Sequence, residues 1–238
     1  MRERPFERAT MFLQATGVPI EEREPYLPVS TVAHKIVMQR LKGRTRPMAA
    51  VGIGSSEPSR QWGSARFTTL ARALLDAGWP SIALIGGPAE GAMVDGILAG
   101  LGNAASRAFP AMSWHLGETA ALLAGSAFYV GNDTGIMNMA AAVGLRTYAL
   151  FGTPIKHSSA IVPIVSPSGG PIDGMARVSV EAVLDVLRAD RGGLGPDASC
   201  QNNQRPHREK LALALRSPAA RPPVGWVEKS AAHAGRLH

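Results

Sequence analysis

Short apolar runs alternate with amphipathic segments through the middle of the chain. The runs "MAAVGIG", "SIALIGG", "AFYVGN" and "TYALFG" begin at residues 48, 81, 127 and 147, and they are apolar without alternation, as in strands buried on both faces. Between and after them, apolar residues recur at helical spacing, as in "SARFTTLARALLDAG" and "SVEAVLDVLRA". This order predicts an α/β fold, a Rossmann-like doubly wound parallel sheet, over residues 48–188.

Two regions of different character flank this domain. Residues 1–47 are charged and amphipathic, and "FERATMFLQATGVPI" and "STVAHKIVMQRLKG" predict two helices there. Residues 189–238 open with "ADRGGLGPDAS" and are rich in proline, which predicts a disordered tail. From residue 190 this tail is basic, with 8 Lys or Arg against 4 Asp or Glu.

Composition narrows the class of protein. The net charge of +7 could favour nucleic acid or an acidic membrane surface, but no basic-aromatic interleaving accompanies it, so no nucleic-acid partner is expected. No membrane span or signal peptide is predicted, because no long uncharged apolar stretch occurs. The single cysteine, Cys200, excludes a disulfide scaffold and fits a cytoplasmic location.

Ligands of such sheets bind at the carboxyl ends of the strands, and the first strand is followed by "GIGSSEPSRQWGSARF". Ser55 and Ser56 can offer hydroxyl and amide donors to an anion, and Arg60 can grip phosphate with its forked guanidinium. Trp62 could pack the loop down and hold Arg60 in place. The alternative is an ordinary surface loop with a solvated arginine.

The second strand runs into "LIGGPAEG". Gly86 and Gly87 would let a ligand approach the backbone, and Glu90 could accept hydrogen bonds from ribose hydroxyls. The alternative is a structural turn that starts a helix at Pro88.

The third loop lies in "YVGNDTGIMNMAAAVGL", where an apolar strand meets a helix. Asp133 or Thr134 could simply cap that helix. The amides at Thr134, Gly135 and Ile136 would also form a helix N-terminus that favours phosphate, whereas Asp133 would repel phosphate and suit sugar hydroxyls. Together these features indicate a nucleotide-sugar. The dinucleotide and ATPase fingerprints are absent.

Residues 50–155 carry a basic residue, one spacer and Trp, then Gly-Gly-x-x-Glu, then Gly-Asn-Asp-Thr-Gly-x-Met and a closing Phe-Gly-Thr-Pro turn. In these motifs the chain resembles the C-terminal half of glycosyltransferase family 9, the ADP-heptose:lipopolysaccharide heptosyltransferases. The resemblance implies the C-terminal half of a GT-B fold, in which two Rossmann-like domains face each other across a cleft. It also implies that this half binds the donor.

The resemblance further implies residue roles. Arg60 would contact the donor diphosphate, Thr134 and Gly135 would cradle a phosphate, and Asp133 would meet the sugar hydroxyls. Arg60 stands where the family often has Lys, and Asn138 stands where it usually has His, which alters donor binding. No cofactor and no metal are expected. The catalytic residue is unknown, because the general base is expected in the acceptor domain.

The 47 residues before the first strand are too few for a second Rossmann domain and resemble an interdomain segment. The resemblance therefore implies the donor half of a glycosyltransferase that moves sugar from an ADP-heptose-type donor to a lipopolysaccharide-type glycan or glycolipid. A peripheral position at the cytoplasmic face of the inner membrane would suit such an acceptor. Two alternatives stay open: a non-catalytic truncated nucleotide-binding module, and a split enzyme whose acceptor domain is a separate chain.

Overall fold

A six-stranded parallel sheet organises the chain. The computed structural model describes residues 15–16, 25–153, 160–167, 174–191 and 195. The strands are β1 (Met48–Gly52), β2 (Ser81–Ile85), β3 (Ala108–Ala111), β4 (Phe128–Asn132), β5 (Thr147–Phe151) and β6 (Ile161–Val165). Their order across the sheet is β3-β2-β1-β4-β5-β6, and every neighbouring pair is parallel. The predicted doubly wound α/β fold is confirmed.

Helices cover both faces of this sheet. They are α1 (Thr31–Arg40), α2 (Ser64–Asp76), α3 (Gly91–Leu101), α4 (Leu116–Ala124), α5 (Gly135–Ala142) and α6 (Val180–Arg191). On one face, α2, α3 and α6 build a core that includes Phe67, Ile97 and Leu187. On the other, α1, α4 and α5 contribute to a second core, with Val37 and Leu122 among its members.

Helix α2 illustrates why the pattern folds in this way. Phe67, Leu70, Ala71, Leu74 and Leu75 are its buried residues, and they recur at the spacing that places them on one helical face. Full burial of a Leu or Phe side chain contributes about 1.5–3 kcal/mol, so this stripe fixes the helix against the sheet. The helix ends at Asp76, and the chain then turns at Gly78, whose positive φ of 95° favours glycine.

Two strands, β3 and β6, were not predicted from the sequence. Each contains a proline, Pro110 in β3 and Pro163 in β6, and each forms one edge of the sheet. Proline has no amide hydrogen to donate, so it is tolerated at a sheet edge while it weakens the strand pattern in the sequence.

The segment before β1 packs onto the sheet domain. Helix α1 begins after Ser30, whose hydroxyl accepts hydrogen bonds from the amides of Val32 and Ala33, and its Val37 is buried in the same core as α4. The second predicted helix of residues 1–47 is therefore confirmed, whereas most of the first lies outside the described residues. The last helix continues to Arg191, past the predicted domain boundary at residue 188. The predicted tail lies outside the described residues, apart from positions 189–191 and 195.

Across the described ranges, no helix has both the length and the apolar character needed to cross a membrane.

Candidate functional site

The three loops singled out from the sequence lie side by side. They follow β1, β2 and β4, and these strands are adjacent in the order β2-β1-β4. The order reverses between β1 and β4, and open α/β sheets bind ligands at such a reversal, beyond the carboxyl ends of the strands. The site therefore lies where the fold itself leaves a crevice.

Arg60 links the first and third loops. It ends a short 3-10 turn, Pro58–Arg60, and its Nη1 lies 3.3 Å from Asp133 Oδ2. Its Nε lies 3.0 Å from Glu57 Oε2. The Arg60 side chain is 46% exposed, so the guanidinium is held between two carboxylates and stays open to solvent. Sequence reasoning missed Glu57, which is signalled only by its spacing of three residues from Arg60.

A buried amide fastens the same two loops together. Asn132, at the end of β4, is fully buried, and its Nδ2 donates to the carbonyls of Ile53 and Gly54 at 3.0 and 3.2 Å. It also donates to Gln61 Oε1 at 2.8 Å, while Asn132 Oδ1 accepts from the amide of Trp62 at 3.3 Å. Asn132 was not singled out from the sequence, although it lies inside the Gly-Asn-Asp-Thr-Gly motif.

Trp62 holds the other side of the first loop. Its ring is completely buried and packs edge-on against Phe67, with ring centroids 5.0 Å apart. Its Nε1 donates to the carbonyl of Val178 at 2.7 Å. Trp62 thus packs the loop down, as the sequence suggested, while Arg60 two positions earlier faces solvent.

The second loop approaches the first through glycines. A methyl group placed on Gly54 would lie 3.4 Å from Gly86 Cα, so the two backbones run close together. Glu90 does not extend freely: its Oε2 accepts from the amide of Gly87 at 2.8 Å. Glu90 therefore closes the turn, and its carboxylate lies beside Gly54 at the same crevice. Glu90 can therefore serve the structural turn and still lie where a ligand could reach its carboxylate.

Helix α5 begins at the crevice with an open N-terminus. Thr134 is its N-cap by backbone conformation, but the Thr134 side chain makes no capping hydrogen bond. A methyl group on Gly135 would meet nothing within 4 Å. Among the backbone–backbone hydrogen bonds of the described residues, none is donated by the amides of Gly135 and Ile136, and the Thr134 side chain does not accept from them. The mouth of the helix thus presents donors and the positive end of its dipole.

Three other residues predicted for the site are Ser55, Ser56 and Asn138. Ser55 uses its hydroxyl inside its own loop, donating to the Glu57 carbonyl at 2.9 Å and accepting from the Glu57 amide at 3.2 Å. Ser56 is exposed. Asn138 is exposed on the first turn of α5, and its Nδ2 donates back to the Thr134 carbonyl at 3.4 Å. The structure thus brings Arg60, Asp133 and the N-terminus of α5 together. The side chains of Ser55 and Asn138 instead form hydrogen bonds within their own segments.

Tyr129 is a further residue of this region that sequence reasoning missed. It lies in β4 and is completely buried, and its hydroxyl makes no well-formed hydrogen bond, although the Thr134 side chain lies close to it. Burial raises the pKa of the Tyr129 phenol well above its usual range; the Thr134 side chain beside it opposes this effect, and the charge of Asp133 adds to it. In the sequence Tyr129 looks like one more apolar strand residue. The only signal that its hydroxyl needs space is the presence of glycine at the ends of two strands, Gly52 in β1 and Gly131 in β4.

Among the described residues, no three His, Cys, Asp or Glu side chains come together as a metal site would require. The expectation of a reaction without metal or cofactor stays a prediction.

These features define a Rossmann-like α/β domain, with a crevice at the reversal of strand order. The sequence profile of glycosyltransferase family 9 (heptosyltransferase) matches residues 6–163, about two thirds of the chain. The chain belongs to glycosyltransferase family 9. The resemblance predicted from its motifs is thereby confirmed. No curated protein gives a significant match to the sequence.

Several solved structures share the fold. The chain is similar to ADP-heptose LPS heptosyltransferase II of E. coli, with 23% identity, a TM-score of 0.64, and coverage of 74% of this chain and 56% of the other. It is similar to a family 9 glycosyl transferase from Veillonella parvula DSM 2008, with 18% identity, a TM-score of 0.66 and the same coverages. It is also similar to E. coli heptosyltransferase WaaC with ADP-2-deoxy-2-fluoro heptose, with 17% identity, a TM-score of 0.58, and coverage of 80% and 57%. The chain thus spans just over half the length of these proteins.

Proposed function

We propose that this chain supplies the donor-binding half of a glycosyltransferase. In this proposal the donor is a nucleoside diphosphate sugar of the ADP-heptose type, and the acceptor is a lipopolysaccharide-type glycan or glycolipid at the cytoplasmic face of the inner membrane. One observation carries it: Arg60 and Asp133 meet beside an α5 N-terminus whose first amides donate to no described backbone oxygen and are not capped by Thr134. A cation, a carboxylate and backbone donors at a helix N-terminus are the groups that a sugar diphosphate requires.

Each group has a distinct task. The amides of Gly135 and Ile136 would donate to phosphate oxygens, supported by the positive end of the α5 dipole. Arg60 would exchange part of its pairing with Asp133 for the diphosphate, which its exposure permits. Negative charge grows on the diphosphate as the sugar departs. These donors would therefore stabilise the leaving group in the transition state more than in the ground state.

Asp133 would serve the sugar rather than the phosphates. Its carboxylate would repel a diphosphate but accepts hydrogen bonds from hydroxyl groups, and its side chain is 20% exposed beside the mouth. The choice of an ADP-heptose-type donor is supported by family membership and by one fold neighbour, which was solved with ADP-2-deoxy-2-fluoro heptose.

Titration calorimetry with ADP tests the donor site. Arg60→Ala should weaken ADP binding by about 1.5–3 kcal/mol, the value of a charge-assisted hydrogen bond. Arg188→Ala is the matched control, because Arg188 also pairs with an acid three residues away, Asp185 at 2.8 Å, on an exposed helix surface. Equal loss in both variants, or none in Arg60→Ala, would contradict the site assignment.

A turnover assay separates the transferase from its alternatives. The chain is mixed with ADP-heptose and a lipid-linked acceptor, alone and with a separately expressed acceptor domain of this family. Transfer by the chain alone would exclude the non-catalytic module, and transfer only with the added domain would establish a split enzyme. Nucleotide binding without transfer in either mixture would leave the binding module as the function.

A further inference from the structure

The buried hydroxyl of Tyr129 makes no well-formed hydrogen bond in the free chain, although the Thr134 side chain lies beside it. Among the described residues, Tyr129 Oη and Ser166 Oγ are the two buried side-chain polar atoms in that condition. A buried hydroxyl that makes no hydrogen bond destabilises the fold, because its hydration is lost and not replaced. Phenylalanine would fill the same space without that cost. Packing alone therefore does not explain why the residue is tyrosine and not phenylalanine.

The backbone leaves room for this hydroxyl at the carboxyl edge of the sheet. Tyr129 lies in β4 between β1 and β5, and its ring passes over two glycines, Gly52 at the end of β1 and Gly131 in β4. A Cβ atom on either glycine would overlap the Tyr129 hydroxyl. The phenol thus points along the strand toward the loop that starts α5.

The side chain beside the phenol is Thr134. Thr134 is the N-cap of α5 and is partly exposed, and its own hydroxyl does not cap the helix. It therefore stands between a fully buried donor and the open mouth of the helix. A protein group that reached a bound phosphate here would be Thr134, since Tyr129 itself is shielded from solvent.

The chemistry of the two hydroxyls sets the direction of their hydrogen bonds. A tyrosine phenol is protonated at neutral pH, and burial raises the pKa of Tyr129 further, so the group can donate. A threonine hydroxyl accepts and donates at once. If its oxygen accepts from Tyr129, its proton is directed away from the core, toward the mouth.

We infer that Tyr129 is a positioning residue for the donor site: when a nucleoside diphosphate binds, the Tyr129 hydroxyl donates to Thr134 Oγ1 and orients the Thr134 hydroxyl to donate to a phosphate oxygen. This inference rests on the proposed donor site and adds a residue that acts on the ligand only through Thr134. It assigns a role to the Tyr129 hydroxyl and to the absent side-chain cap at Thr134.

A double-mutant cycle tests the inference. ADP and inorganic pyrophosphate are titrated into the wild type, Tyr129→Phe, Thr134→Ala and the double variant. Tyr129→Phe should weaken binding roughly tenfold, as loss of one hydrogen bond to a ligand-binding group does. In the Thr134→Ala background the same change should have no further effect. Additive losses, or wild-type binding by Tyr129→Phe, would overturn the inference.

Tyr148→Phe is the matched control. The Tyr148 hydroxyl donates to Asp190 Oδ2 at 2.6 Å, so its removal should lower the melting temperature and leave ADP binding unchanged. Tyr129→Phe should do the reverse, keeping or raising the melting temperature while it weakens binding. If Tyr129→Phe instead lowers the melting temperature and leaves binding unchanged, the hydroxyl serves the fold alone and the inference is wrong.

The two probes separate this inference from the proposed function. Pyrophosphate binding that depends on Tyr129, without any gain from the adenosine of ADP, would support the positioning role and contradict the nucleotide donor. If the wild type binds neither probe, both ideas are overturned.

Discussion

Arg60 Nη1 and Asp133 Oδ2 lie 3.3 Å apart, although they belong to loops on two different strands. The pair joins the loop after β1 to the loop after β4, on either side of the point where the strand order reverses. Both side chains are partly exposed, so solvent screening limits what this pair contributes to folding. Its more important effect is to hold a cation and a carboxylate side by side at the mouth of α5.

The first prediction concerns Asp133→Asn. Removing this carboxylate leaves Arg60 paired with Glu57 alone and reduces the repulsion of the diphosphate, so ADP should bind as tightly as to the wild type or more tightly. The preference for ADP-heptose over ADP should fall several-fold, because an acceptor for sugar hydroxyls is weakened. Calorimetry with both ligands measures this. Asp185→Asn, which alters an exposed carboxylate of α6, should change neither affinity.

A second prediction addresses the buried amide of Asn132. Asn132→Ala leaves the Trp62 amide and the Ile53 carbonyl without their partner, which should reduce the free energy of unfolding by about 2–3 kcal/mol. The loop that carries Arg60 would also loosen, so ADP affinity should drop with stability. Denaturant unfolding and calorimetry check the two effects. The exposed Asn103→Ala should stay within about 0.5 kcal/mol of the wild type.

The central sheet could be predicted from the sequence because its strands are apolar on both faces. β1, β2, β4 and β5 are buried along their whole length, so each appears as a short uninterrupted apolar run. The edge strands β3 and β6 could not be recognised, since Pro110 and Pro163 interrupt the pattern where a sheet edge tolerates them.

The site was predictable to the extent that it consists of strand-end loops. Arg60, Asp133 and Gly135 fall at chain positions that a parallel sheet brings to one edge, and the motif spacing identified them. Glu57 and Tyr129 were not predicted: the role of Glu57 depends on the conformation of its own loop, which turns it toward Arg60, and that of Tyr129 depends on the direction of a buried side chain. Periodicity carries no information about either.

Glu90→Gln tests whether the second loop contacts the nucleoside. Gln can still accept the hydrogen bond from the Gly87 amide, so the turn should survive. A neutral amide is a weaker acceptor for ribose hydroxyls than a carboxylate, and ADP affinity should fall roughly three- to tenfold while pyrophosphate affinity is unchanged. Parallel titrations with the two ligands provide the measurement.

A matched control for Glu90→Gln exists at the start of α4. There Glu118 Oε2 accepts from the amide of His115 at 3.3 Å, in the same arrangement three residues apart. Glu118→Gln should leave both ligand affinities unchanged. A similar loss of pyrophosphate binding in Glu90→Gln would show that the substitution disturbs the crevice in general, and the ribose assignment would then fail.

The last prediction compares two glycines that lie close together in the sequence. Gly131→Ala would drive a Cβ atom into the backbone oxygen of Gly52, so it should reduce the free energy of unfolding by about 1–3 kcal/mol. Gly135→Ala meets no protein atom within 4 Å, and alanine favours a helix, so stability should be unchanged or higher by up to about 1 kcal/mol. A phosphate at the α5 mouth would approach Gly135 closely, and the added methyl group should therefore weaken ADP binding roughly tenfold, about 1.4 kcal/mol. Thermal unfolding and calorimetry on both variants distinguish the two roles. Wild-type ADP binding by a stable Gly135→Ala protein would mean that the diphosphate does not bind at this helix N-terminus.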